Sequence, residues 1–417
     1  MKPTVGIEAL AVAVPRRYLA LEDLARARGV DPGKYTQGLG ALQMAVPDPG
    51  EDTVALAATA ARRLLAQGVV DPQQLGMLVV GTETGVDHSK AVASYVQGQL
   101  GLPRHMRTYD AQHACYGGTA ALMAATEWIA SGAANGRSAL VIASDVARYG
   151  VRSAGEPTQG GAAVALLVSE RPALLALDVG LNGVSSADVF DFWRPHGQRE
   201  PQVDGHYSIG CYLEALSGAY RGWRERALAV GRVRWGNTLP GEQLARVLYH
   251  VPFCKMAKKA HAQLRLCDLE DAVGPAPGSP EAREEVSRST ASYEAQVAGG
   301  LWLNAQVGNA YTASLYLALA GLLHREAGAL AGQRLGLFSY GSGSCGEFFS
   351  GTVGAHAAEA IARAELDLVL AQRERIDVAE YERLMALPAH APEPASPPPG
   401  GFRLTGVQEH RRLYARG

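Results

Sequence analysis

The sequence predicts an α/β protein with layered sheets, built from two similar halves. Short apolar runs typical of buried strands alternate with segments of helical periodicity, and the order strand, helix, strand occurs twice along the chain. The 417 residues suffice for two domains or for one large two-part domain. Hydrophobic residues make up 47% and charged residues 19%, which excludes a disordered chain.

The first half supplies the elements of one α/β unit. An apolar run near the N-terminus, broken by Glu8 and ended by Pro15, predicts a first strand rather than a signal segment. A helix is predicted over 52–68, where apolar residues recur at helical spacing before a terminal glycine. Buried strands are predicted at 75–84, 138–145 and 162–169.

The second half repeats this order. In the first half "GMLVVGTET", a helix starting at Cys115 and "ALVIASD" follow one another, and in the second half "RVLYHVPF", "VGNAYTASLYLALAGLL" and "RLGLFSYGSG" do so. Asp145 follows Cys115 by 30 positions, and Gly341 follows Asn309 by 32. The similar spacing indicates a duplicated unit, with an insertion near 265–292 lengthening the second copy.

These patterns predict two parts in the chain. We place an N-terminal half at 1–172 and a C-terminal half at 173–417, which contains a Pro-rich linker at 391–401. The final stretch, "FRLTGVQEHRRLYARG", regains an alternating strand-like pattern, so we expect it to return to the body of the protein.

Charge and cysteine content exclude several classes of protein. The net charge of −2 leaves no electrostatic footprint for nucleic acid, and no window approaches the ~20 apolar residues of a membrane helix. The five cysteines are widely spaced and include no CxxC pair, so the sequence indicates neither a disulfide framework nor a metal site. Reduced cysteines predict a cytoplasmic protein.

Cys115 is the first candidate catalytic residue. In "ACYGGTAALMAA" it stands at a turn that enters a helix, where amide groups and the helix dipole lower a thiol pKa. Gly117 and Gly118 would let a substrate lie against the backbone. The alternative is a small buried residue at the start of a core helix, and this segment alone does not decide between them.

Glu83 and His250 are the next candidates, each just after an apolar strand. Partial burial would raise the pKa of Glu83 toward neutrality and make it a usable base, with Asp87 as a competing acid nearby. His250, followed by the strand breaker Pro252, could donate a hydrogen bond to a substrate carbonyl. Taken alone, each residue is more readily explained as structural: Glu83 as a surface or capping acid and His250 as a satisfied core histidine.

Further candidates follow along the chain. Lys255, Lys258 and Lys259 recur at helical spacing and could hold phosphates, or form an ordinary solvated face. Asn309 could orient a carbonyl, and the glycine-rich loop around Ser342 could offer backbone amides to an oxyanion. That loop also satisfies GxGxxG, but "EFFSGTV" after it predicts a strand and not the helix that a dinucleotide site requires.

Ten segments, spread over nearly the whole chain, occur in the same order as matching segments of one known family. They are "DPGKYTQGLGALQMAVPDPGEDTVALA", "GTETGVDHSK", "ACYGGTAAL", "VIASDVARYG", "GEPTQGGAAVALLVS", "DFWRP", "YHVPFCKMAKKAH", "VGNAYTASLY", "SYGSGSCGEFFSG" and "FRLTGVQEHRRLYAR". Together they resemble the 3-hydroxy-3-methylglutaryl-CoA synthase family. The resemblance implies a thiolase-like fold, in which duplicated α/β halves form a five-layer αβαβα arrangement, and a homodimer.

The resemblance also implies roles for single residues. Cys115 is similar in position to the acyl-accepting nucleophile, Glu83 to the general acid/base, and His250 to the residue that polarises the acetoacetyl group. Asn309 and Ser342 correspond to positions near the bound acyl groups. Tyr149, Thr158, Lys255, Lys258 and Lys259 lie in matching segments, the lysines where the family meets the phosphates of CoA.

The implied reaction joins acetyl-CoA to acetoacetyl-CoA through an acetyl-cysteine, as in the mevalonate route to isoprenoids, without a metal or resident cofactor. Glu83 replaced by Gln or Ala should keep Cys115 acylation and stop condensation.

A relative that takes acyl groups from acyl carrier protein in polyketide β-branching is the main alternative. A thiolase or ketoacyl synthase would use two histidines or a second cysteine, and a non-catalytic scaffold would not keep all three residue types.

Overall fold

The computed structural model describes residues 4–198, 200–272, 289–388 and 395–417. Parts of the predicted insertion near 265–292 and of the linker at 391–401 lie outside these residues. Within the described ranges, no helix combines the length and the apolar character needed to cross a membrane.

The strands, in chain order, are β1 Gly6–Ala13, β2 Arg17–Ala20, β3 Gln43–Val46, β4 Leu75–Gly81, β5 Arg107–Ala111, β6 Ser138–Ala147, β7 Gly160–Ser169, β8 Leu175–Leu177, β9 Gly183–Ser186, β10 Phe192–Trp193, β11 Gln202–Val203, β12 Arg246–Tyr249, β13 Arg334–Gly341, β14 Cys345–Val353, β15 Glu374–Ile376, β16 Phe402–Gln408 and β17 Arg411–Arg416.

The helices that we label are α1 Leu21–Ala27, α2 Gly33–Thr36, α3 Thr53–Ala66, α4 Val92–Leu100, α5 Gly117–Ala130, α6 Gly205–Ala229, α7 Cys254–Ala272, α8 Trp302–Val307, α9 Ser314–Leu330, α10 Ala357–Ala362, α11 Leu366–Ala371 and α12 Val378–Ala386. A further helical stretch covers 289–296.

One large sheet runs through the molecule in the order β12-β13-β14-β8-β1-β7-β6-β4-β5, with β9 also paired to β14. Strand β4 is parallel to β6, which is antiparallel to β7, and β12 is parallel to β13, which is antiparallel to β14. Helix α5 precedes β6 as α9 precedes β13. The predicted duplication is therefore confirmed, and the two copies are joined edge to edge where β8 pairs with β1.

Three hydrophobic clusters fill the spaces between five layers. Helices α3 and α4 cover one face of the first half-sheet, with Leu78 and Ile142 among the buried contacts. Helices α5 and α9 lie between the half-sheets and bury side chains of both, such as Val141 and Leu337. Helices α6 and α7 cover the outer face of the second half-sheet. This order is the αβαβα arrangement of the thiolase-like fold.

The predicted elements occur close to their expected positions. The helix predicted over 52–68 is α3, and the side chain of Asp52 caps it by accepting from the backbone N–H of Ala55 at 2.9 Å. The strands predicted at 75–84, 138–145 and 162–169 are β4, β6 and β7. The segment after the GxGxxG pattern is strand β14, as predicted.

The C-terminal segment returns to the body as the hairpin β16–β17. Phe402 is buried in the core beneath α3, and its backbone N–H donates to the Thr59 hydroxyl at 3.0 Å. A three-stranded sheet, β15-β2-β3, contains one strand of the second predicted half, β15, which pairs with β2 of the first. The boundary at residue 172 stays a prediction.

Candidate active site

Cys115 and Glu83 meet where two elements of the first half converge. Glu83 lies in the loop that follows β4, and Cys115 lies in the turn between β5 and α5. The Sγ atom of Cys115 donates to Oε1 of Glu83 at 3.1 Å. Ala114, directly before the cysteine, has a φ of 40°, a left-handed conformation that a non-glycine residue rarely adopts and that is frequent at functional sites.

Three glycines let the loops of Glu83 and Cys115 pack closely against neighbouring parts of the protein. A Cβ on Gly81, the last residue of β4, would lie 2.4 Å from Cα of Gly118, and a Cβ on Gly118 would lie 3.0 Å from the carbonyl oxygen of Thr312. A Cβ on Gly117 would lie 2.7 Å from the carbonyl oxygen of Ala111. The prediction that Gly117 and Gly118 leave room for a substrate is therefore wrong, because backbone of neighbouring layers occupies that space.

Burial decides the protonation of this pair. It raises the pKa of Glu83 to about 8, with a further contribution from the negative charge of Asp145, as the sequence led us to expect in direction. Burial also raises the pKa of the Cys115 thiol well above its usual value, and the Glu83 carboxylate adds to this rise. The prediction of a lowered thiol pKa is wrong, because Cys115 precedes α5 rather than joining its first turn, and desolvation outweighs the dipole.

Asp145 fixes the loop that carries Glu83. This fully buried carboxylate, on β6, accepts from the backbone N–H groups of Glu83 and Thr84 at 2.9 Å each. It also accepts from the hydroxyl groups of Thr82 at 2.7 Å and Thr312 at 2.6 Å. Because Thr312 belongs to the loop before α9, one carboxylate ties together the site loops of both halves.

His250 lies in the second half, and it is not among the residues that line the cleft described below. It follows β12 directly, its backbone N–H donates to the carbonyl oxygen of Phe338 at 2.7 Å, and its ring stacks on Tyr212 at a centroid distance of 6.5 Å. Burial lowers the pKa of His250 to about 3, so the imidazole is neutral at physiological pH. The described residues show no hydrogen bond between this ring and Cys115 or Glu83.

Asn309, Tyr149 and Thr158 are linked to one another by polar contacts, with Asn309 between the other two. The buried Asn309 accepts from the backbone N–H of Tyr311 at 2.9 Å and donates its own backbone N–H to the carbonyl oxygen of Thr158 at 3.0 Å. Burial raises the pKa of Tyr149, with further contributions from the charges of Cys115 and Glu83, while polar contacts with Tyr311 and Asn309 lower it. The phenol of Tyr149 therefore lies beside the Cys115–Glu83 pair.

A cleft of about 640 Å³ opens beside Glu83, Ala114 and Ser342. The segment around β10 forms its far wall and is anchored by the buried Asp191, which accepts from the Tyr340 hydroxyl at 2.7 Å and from the Gly343 backbone N–H at 2.9 Å. The structure thus places Ser342 in the same cleft as the candidate base.

Two of the three candidate lysines line a second cavity. Lys255 and Lys258, near the start of α7, line a pocket of about 390 Å³ together with Gln37 and Trp302. The Lys255 ammonium lies 3.4 Å from the carbonyl oxygen of Gln37, and that of Lys258 lies 5.7 Å from the centre of the Tyr293 ring. Lys259 is exposed and lies outside the lining of this pocket.

Two family models cover the chain. The first, "Hydroxymethylglutaryl-coenzyme A synthase N terminal", matches residues 2–172, and the second, "Hydroxymethylglutaryl-coenzyme A synthase C terminal", matches 175–276 and 280–401. The chain belongs to the hydroxymethylglutaryl-coenzyme A synthase family.

Members of this family resemble the chain over almost their whole length. The Enterococcus faecalis hydroxymethylglutaryl-CoA synthase is 37% identical over 92% of both chains, and the human mitochondrial synthase is 35% identical over 99% of this chain and 89% of its own. A solved structure of MvaS in complex with 3-hydroxy-3-methylglutaryl coenzyme A is 72% identical over the full length of both chains, with a TM-score of 0.98.

A third likeness is to the curacin biosynthetic pathway HMG synthase in complex with acetyl donor-ACP. It is 31% identical over 99% of this chain and all of its own, with a TM-score of 0.84. Both neighbours share the thiolase-like fold of the hydroxymethylglutaryl-coenzyme A synthase family.

Sequence reasoning missed three residues at this family site. Asp145 marked the end of a predicted strand, and Asp191 and Arg194 lay in "DFWRP", which served only as part of the resemblance. An acid at the end of an apolar, strand-like run is a sequence signal that could have identified Asp145. No local pattern shows that Arg194 reaches the loop of Glu83, since 111 residues separate them and only the fold brings them together.

Proposed function

We propose that this chain condenses acetyl-CoA with acetoacetyl-CoA and water to give 3-hydroxy-3-methylglutaryl-CoA and CoA, with Cys115 as acetyl carrier. The observation that supports this most directly is the 3.1 Å hydrogen bond from the Cys115 thiol to Glu83, in a chain of this synthase family. A thiol and a buried carboxylate in contact provide a nucleophile and a base in one site.

Acylation is the first half-reaction. The thiol proton passes to Glu83, the sulfur of Cys115 attacks the acetyl carbonyl carbon, and CoA leaves as its thiol. The raised pKa of Glu83, about 8, lets it accept that proton and release it near neutral pH. Backbone N–H groups of Tyr116 and Gly117 already donate to protein acceptors, which leaves the amide of Cys115 itself as a candidate oxyanion donor.

Condensation uses Glu83 a second time. Its carboxylate removes a proton from the acetyl methyl group, and the resulting enolate adds to the ketone carbon of acetoacetyl-CoA. His250, neutral because burial lowers its pKa to about 3, donates a hydrogen bond to the developing alkoxide rather than acting as a cation. The proton held by Glu83 then passes to the alkoxide, and water cleaves the thioester to Cys115, which releases the product as its carboxylate and restores the thiol.

Substrate binding involves both cavities in this proposal. In this proposal Asn309, Tyr149, Thr158 and Ser342 contact the acyl groups. Ser342 lines the cleft with Glu83, and Tyr149, beside the Cys115–Glu83 pair, contacts Asn309, which is linked to Thr158. The cationic pocket of Lys255 and Lys258, with Lys259 on the same helix, receives the phosphates of CoA.

A homodimer is the proposed assembly. Within the part of the chain that the structure describes, strand β5 pairs with β4 on one side and ends the large sheet on the other, so its second edge is open for pairing with a copy of itself. We also propose a cytoplasmic location, since all five cysteines are free, as expected in a reducing compartment.

An acyl-carrier-protein donor is the second candidate. It is favoured by the likeness to the curacin pathway synthase in complex with acetyl donor-ACP, at 31% identity. The likeness to MvaS in complex with 3-hydroxy-3-methylglutaryl coenzyme A, at 72% identity, supports CoA thioesters more strongly.

The test follows the absorbance of the acetoacetyl-CoA enolate after acetyl-CoA is added. We expect rapid loss with the wild-type chain and none with Cys115→Ala. Loss only with acetyl-loaded carrier protein would replace the donor and keep the mechanism. No loss with either donor would contradict the proposed function.

The roles of Cys115 and Glu83 are separated with Glu83→Ala. Without Glu83 the thiol proton passes to solvent instead, and removal of the Glu83 charge lowers the pKa of the Cys115 thiol, so transfer of labelled acetyl to the protein should persist. Condensation should fall by about 10² to 10⁴. Near-normal product formation by Glu83→Ala would show that another group is the base.

A further inference from the structure

Arg194 contacts the backbone of the candidate base Glu83, and nothing in the proposed mechanism uses it. Its guanidinium donates from Nη2 to the backbone carbonyl oxygen of Glu83. The residue is half-buried and lines the cleft with Glu83 and Ser342. We propose that Arg194 is a positioning residue that holds Glu83 in place and keeps its carboxylate ionised after Cys115 has been acylated; this inference rests on the proposed function.

The segment that carries Arg194 is held firmly against the site. Asp191, three residues earlier, is fully buried and accepts hydrogen bonds from Tyr340 and Gly343. Phe192 packs edge-on against Tyr311, with ring centroids 5.9 Å apart. Asp191 and Phe192 thus anchor the segment just before Arg194. The guanidinium is therefore directed at the Glu83 loop at little further cost in side-chain entropy.

The charges around Glu83 come from several elements. Asp145 on β6 raises its pKa, while the hydrogen bond from Cys115 and the positive charge of Arg194 lower it. The phenols of Tyr149 and Tyr311 lie close enough for Glu83 to raise the pKa of each.

Other charged groups line the cleft at its outer walls. Asp48, Glu51 and Asp52 lie before α3, and Arg412 pairs with Asp52 at 2.9 Å. The remaining members are Asp87, His88, Arg148 and His196.

Acylation removes one of the two contributions that lower the pKa of Glu83. Once Cys115 is a thioester, its sulfur carries no proton and the 3.1 Å hydrogen bond to Oε1 is lost. Burial and Asp145 still favour the protonated acid. The next step needs the carboxylate, because the proton of the acetyl methyl group must pass to it. Arg194 is then the cation that continues to oppose protonation.

The experiment measures the condensation step alone. Full-length protein is acetylated with labelled acetyl-CoA and mixed rapidly with acetoacetyl-CoA, and the single-turnover rate is recorded from about pH 6 to 9.5. The variants are Arg194→Met, which removes charge and donors, and Arg194→Lys, which keeps the charge. Arg148→Met is the matched control, because Arg148 lines the same cleft but donates to the carbonyl oxygen of Pro47.

In Arg194→Met we expect the pH midpoint of this step to rise by about one unit and the rate at pH 7 to fall about 10-fold. The Lys variant should recover most of that shift, and Arg148→Met should keep the wild-type midpoint.

Unchanged midpoints in Arg194→Met, or equal shifts in Arg194→Met and Arg148→Met, would overturn the inference. If wild-type protein itself takes up no acetyl group or does not condense it, the proposed function fails instead. A uniform rate loss at every pH, with no recovery in Arg194→Lys, would show that Arg194 only maintains the fold.

Discussion

Glu83 is a carboxylate whose surroundings oppose its charge. Burial and Asp145 raise its pKa to about 8, and the hydrogen bond from Cys115 and the charge of Arg194 only partly offset this. An acid tuned in this way is suited to exchange protons near neutral pH, but it makes the folded state bind a proton that the unfolded chain has already released. Activity and stability therefore conflict at this residue.

Replacing Glu83 by Gln should make the protein more stable at pH 8.5 than the wild type. The folded state holds the Glu83 proton up to about pH 8 while the unfolded state releases it near 4.5, so the wild-type free energy of unfolding falls as pH rises through this window. Glu83→Gln lacks this loss, which is on the order of 3 to 5 kcal/mol. Urea denaturation at pH 5 and pH 8.5 measures it.

The control is Glu127→Gln, at an exposed position of α5. It should lose as much stability between the two pH values as the wild type does. A Glu83→Gln variant that is no more stable than the wild type at pH 8.5 would show that the folded state does not favour the protonated acid.

At the scale of elements, the site depends on how closely α5 approaches β4. The ideal Cβ position on Gly81 lies 2.4 Å from Gly118 and 2.5 Å from Gly117, so the strand end touches the helix start backbone to backbone. The same helix start is preceded by Cys115, and the same strand end is followed by Glu83. The distance between nucleophile and base is thus set by a contact that only glycine permits.

Gly81→Ala should therefore separate the pair. The added methyl group overlaps backbone that cannot rotate away, which costs about 1 to 3 kcal/mol and moves Cys115 relative to Glu83. Condensation of the acetyl group with acetoacetyl-CoA should fall at least 10-fold, and urea denaturation should show the lost stability. Gly98→Ala in α4, where nothing lies within 4 Å of the new Cβ, is the control and should be neutral or stabilising. Equal behaviour of both variants would contradict this view.

The C-terminal hairpin is a second element whose ion pairs can be tested. Arg403 on β16 pairs with Asp48 at 2.8 Å, and both side chains are buried. Arg403→Met leaves Asp48 with Arg17, which is 3.5 Å away, and should lower the free energy of unfolding by about 3 to 5 kcal/mol. Arg411→Met, at an exposed position of β17, should change it by less than about 0.5 kcal/mol. Urea denaturation of both variants decides whether the buried pair secures the hairpin.

At the scale of the whole molecule, the large sheet ends at β5. In the described residues this strand has a partner only in β4, and its Tyr109 is 37% exposed. A two-fold dimer that joins two β5 strands would bring both copies of this strand side by side, so a charge introduced there meets its own copy.

Tyr109→Asp should weaken such a dimer. Like charges on paired edge strands repel each other, and we expect the sedimentation coefficient to fall from the dimer value to the monomer value at micromolar protein. Leu413→Asp, on the exposed side of the C-terminal hairpin, is the control and should leave the assembly unchanged. A Tyr109→Asp protein that sediments as the wild type would place the interface elsewhere.

The sequence by itself determined the class of fold, the repeated order of strand, helix and strand, and the candidates Cys115 and Glu83. These follow from local patterns, because periodicity and the position of a polar residue after a strand are encoded within short windows. Three matters were decided by tertiary structure alone: the protonation of the thiol, the packing role of Gly117 and Gly118, and the contact of Arg194 with the Glu83 loop. Each depends on desolvation or on contacts between residues far apart in sequence, and neither can be read from neighbours along the chain.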